Sequence, residues 1–236
     1  RSRGLGDVYK RQLLIISFNI HGQKKVLDHK DFDIWNRIQN SQISTSGDYV
    51  MYSIQRGEED SFLKIKDKNA NLIFEHDRAE KGVFSYNSKY AIFAIKEWND
   101  TITEMKRRKV KKGKMPMDSI GIFNLQNKTL VKISNIKSYK NPEKWSGYLA
   151  YTNDLTSKQK KDTIKEKKTN KKPSSKNGYP LIIRNLDTEV EDTIPFVLDY
   201  TFSKEEKFIS YVTSGEKNST KPGVYVKDLS LSLIHI

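Results

Sequence analysis

The sequence predicts an all-β fold, a partial, open β-propeller of about three to four four-stranded blades preceded by a short N-terminal helix. Three observations predict it: a recurring Ser-turn-aromatic unit, a recurring strand that closes on Asp or Asn, and a spacing of 41 residues between the first two copies. With 36% hydrophobic residues in 236, the chain has enough apolar side chains for a packed core.

The first unit occurs in "ISTSGDYVMYS" (43–53), "FSYNSKYAIFA" (84–94) and "FSKEEKFISYV" (202–212). In each copy a Ser and a polar turn precede alternating apolar positions, and an aromatic residue lies eight positions after the Ser. These residues are Ser44, Ser85 and Ser203, with Tyr52, Phe93 and Tyr211. A weaker copy places Tyr151 in the same register, with Glu143 where the Ser would be. We expect the Ser hydroxyl to cap backbone N–H groups across a turn between antiparallel strands.

The second unit is an apolar strand that ends on a short polar residue. Four copies begin near residues 63, 121, 181 and 224, and they end on Asp67, Asn124, Asn185 and Asp228. Asp and Asn favour turns, so the first three copies predict hairpins to a further strand. One pair of units therefore makes one four-stranded blade.

The aromatic positions 52, 93, 151 and 211 are 41, 58 and 60 residues apart. The first period has the length of a propeller blade, and each longer one contains a lysine-rich run between its second and third strands. A β-sandwich, the alternative architecture, would show regular short strands without this higher repeat.

The two runs explain the charge of the chain. Residues 106–114, "KRRKVKKGK", contain seven basic residues and no acid, and residues 158–176 contain nine against two acids, which together equal the formal excess of +14. Neither run has, between its basic residues, the aromatic residues that stack on nucleic-acid bases. We therefore predict that both runs are solvated insertions and that the chain has no nucleic-acid partner.

Before the first blade, Phe32, Trp35 and Ile38 are three residues apart in "DHKDFDIWNRI" (28–38). This spacing predicts a short helix with one apolar face, which packs against the propeller or, alternatively, binds a partner.

The two ends do not fit the pattern. "DVYKRQ" (7–12) and "LSLIHI" (231–236) can be encoded by opposite strands of one DNA segment, so residues 1–12 and 231–236 are interpreted as translated tag sequence. Residues 13–23 begin "LLIISF" and are interpreted as the remnant of a signal peptide, too short to span a bilayer. The partial propeller is assigned to residues 24–230. Cysteine is absent, so no disulfide framework is predicted.

No catalytic constellation is found in the sequence. Cys, a G-x-S-x-G elbow, a Walker loop and HExxH are all missing, and outside the ends only His29 and His76 remain. The acid pairs at 58–59 and 205–206 are interpreted as solvated turns. We therefore assign no catalytic, cofactor-binding or metal-binding residue and no cofactor.

Residues 24–54, "KKVLDHKDFDIWNRIQNSQISTSGDYVMYSI", and residues 115–151, beginning "MPMDSIGIFNLQNKTL", resemble the start of exported bacterial serine peptidases of the prolyl oligopeptidase family. The likeness runs from about Lys24 to Leu229. It implies an N-terminal propeller that limits peptide access to a C-terminal α/β-hydrolase domain with a Ser, Asp and His triad, none of which matches a position here.

The resemblance leads to two expectations. In the first, this chain is the gating propeller of a periplasmic or secreted serine peptidase, whose peptide substrate is handled by the missing hydrolase domain. In the second, it belongs to a non-enzymatic TolB-like propeller that binds proteins or cell-wall components. Whether the parent is an enzyme, and its oligomeric state, are left open.

Overall fold

The structure, a computed structural model, describes residues 35–57, 59–153, 172–215 and 220–230, together with residues 26, 28 and 31. The tag assignments at 1–12 and 231–236, the signal-peptide assignment at 13–23, and residues 158–171 of the second basic run lie outside this part of the chain.

Fourteen strands form in the described residues, arranged in three antiparallel sheets. Their bounds are β1 Asn36–Ile43, β2 Tyr49–Arg56, β3 Phe62–Asp67, β4 Leu72–Asp77, β5 Ala79–Phe84, β6 Tyr90–Ile95, β7 Ser119–Asn124, β8 Leu130–Ile133, β9 Ile136–Lys140, β10 Tyr148–Asn153, β11 Tyr179–Asn185, β12 Glu191–Phe202, β13 Phe208–Thr213 and β14 Gly223–Asp228.

The sheets are successive propeller blades. Strands β1–β4 form blade 1 and β5–β8 form blade 2, while the six-stranded sheet has the order β14-β13-β12-β11-β10-β9. The twelve-residue strand β12 joins two blades in this third sheet. Its first half pairs with β11 as the last strand of blade 3, and its second half pairs with β13 as the first strand of blade 4. The predicted all-β, open propeller is confirmed.

Three residues in the left-handed backbone region mark the crossings between blades. Arg78 (φ 61°) and Asn135 (φ 60°) lie between the last strand of one blade and the first strand of the next, and Phe196 (φ 54°) lies inside β12 where it passes from blade 3 to blade 4. The residue that follows each of them, Ala79, Ile136 or Val197, is buried in a core. A left-handed conformation costs about 1 kcal/mol for a residue with a side chain, and burial of the next residue offsets it.

The predicted aromatic register is confirmed. Tyr52, Phe93, Tyr151 and Tyr211 each occupy the fourth position of the second strand of a blade, in β2, β6, β10 and β13. In blades 2, 3 and 4 this position points towards the preceding blade, because Phe93, Tyr151 and the half-buried Tyr211 pack in the clusters that join the blades. Phe93 and Tyr151 lie between two described blades and are buried, whereas Tyr52, on the outer face of blade 1, is only half-buried.

Three hydrophobic clusters hold the blades together. The first joins blades 1 and 2 and includes Met51, Leu63 and Phe93. The second joins blades 2 and 3, and the third joins blades 3 and 4. Because each middle blade buries both of its faces, its strands are nearly continuous apolar runs, as in "YAIFAI" of β6.

The serine turns behave as predicted in two of the three copies. The Ser44 hydroxyl accepts a hydrogen bond from the Tyr49 N–H at 3.1 Å, and the Ser85 hydroxyl accepts one from the Tyr90 N–H at 3.0 Å. Ser203 differs, because its hydroxyl donates to the Glu206 carbonyl oxygen. Ser203 still keeps the register, since its N–H donates to the Phe208 carbonyl oxygen at 2.9 Å.

The closing residues of the second unit also act as predicted. Side-chain oxygens of all four accept hydrogen bonds from backbone N–H groups two to four residues later, at 2.7–3.3 Å. They are Asp67, Asn124, Asn185 and Asp228. The Asn71 side-chain hydrogen bond holds the pKa of Asp67 below its ordinary value, which favours the charged acceptor.

The N-terminal helix prediction was too long. Residues 36–38 belong to β1, so Ile38 lies in a strand that pairs with β2 and not on a helical face. Asp31 is helical, and Phe32 lies outside the described residues. The apolar three-residue spacing was misleading because Ile38 faces the outer side of blade 1, where it is exposed.

The first basic run is an exposed insertion, as expected, but it is partly helical. Helix α1 (Asn99–Arg107) and a 3-10 turn (Lys112–Lys114) follow β6. Asp60 accepts from the Asn99 N–H at 3.0 Å, and Arg78 stacks on Trp98 with its guanidinium carbon 4.3 Å from the ring centre. These contacts fix the base of the insertion on the blade.

No helix within the described residues is long and apolar enough to cross a membrane.

Candidate functional site

The first strands of all four blades surround one cavity of about 770 Å³. Gln42 of β1, Val83 of β5, Tyr139 of β9 and Thr201 of β12 line it, although they are separated by about 40 to 60 residues in the sequence. We call this space the inner cavity. Its volume lies in the range typical of pockets that bind small molecules or short peptide segments.

Hydrogen bonds between neighbouring first strands hold the lining in place. The Gln42 side-chain oxygen accepts from the Phe84 N–H at 3.0 Å, and the Tyr139 hydroxyl donates to the Lys81 carbonyl oxygen at 3.2 Å. On the next blade, the Lys140 ammonium donates to the Tyr200 carbonyl oxygen at 2.5 Å. Every neighbouring pair of blades is therefore connected at the inner cavity by at least one side chain.

A β-bulge recurs in every first strand. Each carries one extra residue against its second strand, between Gln39 and Gln42 in β1, between Glu80 and Val83 in β5, opposite Thr152–Asn153 in β9, and between Val197 and Asp199 in β12. A bulge bends a strand and turns a side chain to a new direction. The repeated bulges thus change the direction in which side chains of the first strands point near the inner cavity.

The lining of the inner cavity is mostly polar and has more basic than acidic side chains. Lys81, Lys140 and Lys204 face it, and Glu143 is the carboxylate among its lining residues. Lys140 is partly neutralised, because its ammonium lies 3.6 Å from an Asp199 carboxylate oxygen.

Two tyrosines beside the inner cavity have raised pKa values. Burial, with the nearby negative charges of Glu80 and Asp118, raises the pKa of Tyr139 to about 12. Burial also raises the pKa of Tyr200 to about 12, although a hydrogen bond with Ser138 opposes the rise. The neutral phenol is favoured in both because a phenolate would lose hydration.

These tyrosines predict how stability depends on alkaline pH. The unfolded chain releases their protons near pH 10, whereas the folded chain holds them to about pH 12, so stability falls as pH rises through this window. In urea unfolding at pH 9.5 and 11, we expect the Tyr139→Phe, Tyr200→Phe double variant to lose roughly 2 kcal/mol less than the original chain. Equal losses in the two proteins would contradict this account.

Two of the residues considered for catalysis in the sequence lie in different blades: His76 in β4 of blade 1, and Glu205 in the turn between β12 and β13 of blade 4. His76 stacks on Phe74, with ring centres 6.2 Å apart, and burial lowers its pKa. Glu205 pairs with Lys144 at 2.6 Å, while His29 and Glu58 lie outside the described residues. Within the described part of the chain, no three His, Cys, Asp or Glu side chains are grouped to hold a metal.

The inner cavity was not predicted from the sequence. Its residues come from four different first strands and from the loops that follow two of them, and they share no motif. The one usable signal is positional: the residue two positions before the Ser of each Ser turn lines the cavity, as Gln42, Val83 and Thr201 do.

Comparison with known proteins gives structural matches only. No protein-family model matches the chain, and no curated protein sequence matches it.

Three solved structures illustrate the likeness. An acylaminoacyl peptidase from Pyrococcus horikoshii is 12% identical, with a TM-score of 0.45 over 86% of this chain and 32% of its own. The β-propeller domain of the Trilobed protease from Pyrococcus furiosus, described as having an open velcro topology, is 13% identical, with a TM-score of 0.45 over 81% of this chain and 53% of its own. A prolyl endopeptidase is 11% identical, with a TM-score of 0.49 over 86% of this chain and 29% of its own. This chain thus spans between about a third and a half of the length of these proteins, and it is similar in fold to a part of each.

Proposed function

We propose that this chain is the propeller of an exported serine peptidase of the prolyl oligopeptidase type. In this proposal the propeller limits which peptides reach an α/β-hydrolase domain in another part of the parent protein. The parent is exported to the periplasm or secreted, in line with the apolar segment at residues 13–23.

The observation that supports the proposal best is the inner cavity. Four successive blades place their first strands around one polar space of about 770 Å³. A space of this size can accommodate an extended peptide segment. The two sequence segments that resemble the peptidases contribute to its lining, through Gln42 in the first and Tyr139 in the second.

The test is recovery of the complete parent gene from its source DNA. We expect the reading frame to continue through further blades into a G-x-S-x-G elbow, followed by an Asp and a His in that order. A stop codon soon after ring closure, without these motifs, would overturn the peptidase assignment and favour a binding propeller of the TolB type.

Gating is tested separately, with the purified parent protein. We expect a fluorogenic tetrapeptide to be cleaved and the same sequence within a loop of a folded protein to be spared, with cleavage abolished by a fluorophosphonate that reacts with serine nucleophiles. Similar rates on both substrates would contradict gating. Cell fractionation that leaves the parent in the cytoplasm would contradict export.

A further inference from the structure

The inner cavity has two lysines whose charge is not balanced. Lys81 follows Glu80 in β5, and Lys204 lies in the turn between β12 and β13. Both are exposed, and among the described residues neither forms an ion pair, unlike Lys140 beside Asp199. An ammonium near a concave, partly apolar wall is less screened than one on an open surface.

Several lysines of the blades have acidic partners: Lys96 lies 2.6 Å from Asp118, and Lys64 lies 3.4 Å from Glu75. Lys81 and Lys204 differ from these in that they have no such partner among the described residues and lie at a concave surface. Burial alone would lower the pKa of Lys96, but the Asp118 hydrogen bond and charge hold it above its ordinary value. The described lining of the inner cavity has three lysines and one acid, Glu143, so its side chains carry a net positive charge.

The remaining lining favours a peptide. The Asn141 amide and the Thr201 hydroxyl can hydrogen-bond to peptide groups, and Val83 and Phe202 supply apolar contacts for side-chain stems. No arginine is among the described residues that line the space, although arginine is the side chain best suited to bidentate recognition of phosphate. These polar and apolar side chains, together with the two unpaired ammonium groups of Lys81 and Lys204, suit the binding of an extended peptide that carries carboxylates.

We propose that the inner cavity binds acidic peptide segments, with Lys81 and Lys204 contacting their carboxylates. The proposal deepens the proposed function, on which it rests for the fate of the bound peptide, and it names acidic peptides as the preferred substrate class. Binding itself depends only on residues present in this chain.

Binding is measured by fluorescence anisotropy with the 236-residue chain, using the monomer fraction from gel filtration. The probe is an octapeptide of Ala, Gly and Pro with three Glu residues and a zwitterionic rhodamine label. A second peptide has Gln in place of Glu, and a third has Lys. We expect the Glu peptide to bind at least about 3-fold more tightly than the Gln peptide, with the advantage lost at 1 M salt. The Lys peptide should bind most weakly.

The Lys81→Gln, Lys204→Gln double variant should raise the Kd of the Glu peptide about 3- to 10-fold and change that of the Gln peptide less than about 2-fold. The matched control is Lys111→Gln, Lys114→Gln, which removes the same charge from the exposed insertion. It should leave both affinities unchanged.

Three results would overturn the proposal. The first is equal affinity for the three peptides, and the second is an equal rise in the Kd of the Glu peptide in the two double variants. The third is displacement of the Glu peptide by polyuridylate at a lower concentration than by unlabelled Glu peptide. The second would assign binding to the net charge of the chain, and the third to a general polyanion surface. None of them bears on whether the parent gene encodes a hydrolase domain, so the two proposals fail separately.

Discussion

The Phe93→Ala substitution is expected to lower the free energy of unfolding by about 3–5 kcal/mol. Phe93 is fully buried between blades 1 and 2, and its ring centre lies 5.6 Å from that of Phe74. Its ring also covers Gly121 on the adjacent strand, where an added Cβ would lie 2.4 Å from a ring carbon. Truncation therefore leaves a cavity that the rigid strands on both sides cannot fill.

The repeat supplies a control for this prediction. Tyr52 has the same position in blade 1, but its face has no described blade against it and it is only half-buried. Tyr52→Ala should cost about 1 kcal/mol, since a side chain that keeps much of its contact with water loses less on truncation. Urea unfolding followed by tryptophan fluorescence measures both. Similar losses for the two variants would show that the blades do not pack as described.

The Gly178→Ala substitution is expected to cost roughly 2–4 kcal/mol. Gly178 has φ +88°, and a Cβ at this residue would lie 2.6 Å from the carbonyl carbon and oxygen of Phe196 and from the Val197 carbonyl oxygen. These are backbone atoms at the bend of β12 between blades 3 and 4, so they cannot move aside as a side chain would.

Gly113→Ala is the matched control for Gly178. Gly113 lies in the exposed 3-10 turn, its φ is not positive, and an added Cβ would meet nothing within 4 Å. Its replacement should change stability by less than about 0.5 kcal/mol. Hydrogen exchange adds a local readout, since Gly178→Ala should speed exchange in β11 and β12 before β2 and β3. Unchanged exchange there would mean that the bend does not depend on Gly178.

Some errors of the sequence-based prediction have an identifiable cause. The helix predicted over 28–38 extended into β1 because the three-residue spacing of Phe32, Trp35 and Ile38 does not show where a helix ends, and Ile38 lies in β1. Helix α1 was missed because the basic run that begins at Lys106 was interpreted only as charge. Lys106 and Arg107 are good helix formers and lie in the last turn of α1, and Asp100 lies in its first turn.

The joining of two blades through β12 was also not predicted. The segment "EDTIPFVLDYTF" contains Pro195 and no glycine, and nothing in it indicates where pairing passes from β11 to β13. The left-handed residues at the crossings are Arg78, Asn135 and Phe196, of which only Asn135 is a type that commonly adopts this conformation.

The sequence by itself determined the blade repeat, because its signals are local: alternation along a strand, a Ser before a turn, and an Asp or Asn at a strand end. Only the tertiary structure decided which aromatic positions are buried, where the chain crosses between blades, and which side chains meet at the inner cavity. The physical reason is that these properties depend on the packing of one blade against the next. That packing joins residues about 40 to 60 positions apart, and no pattern within one strand records it.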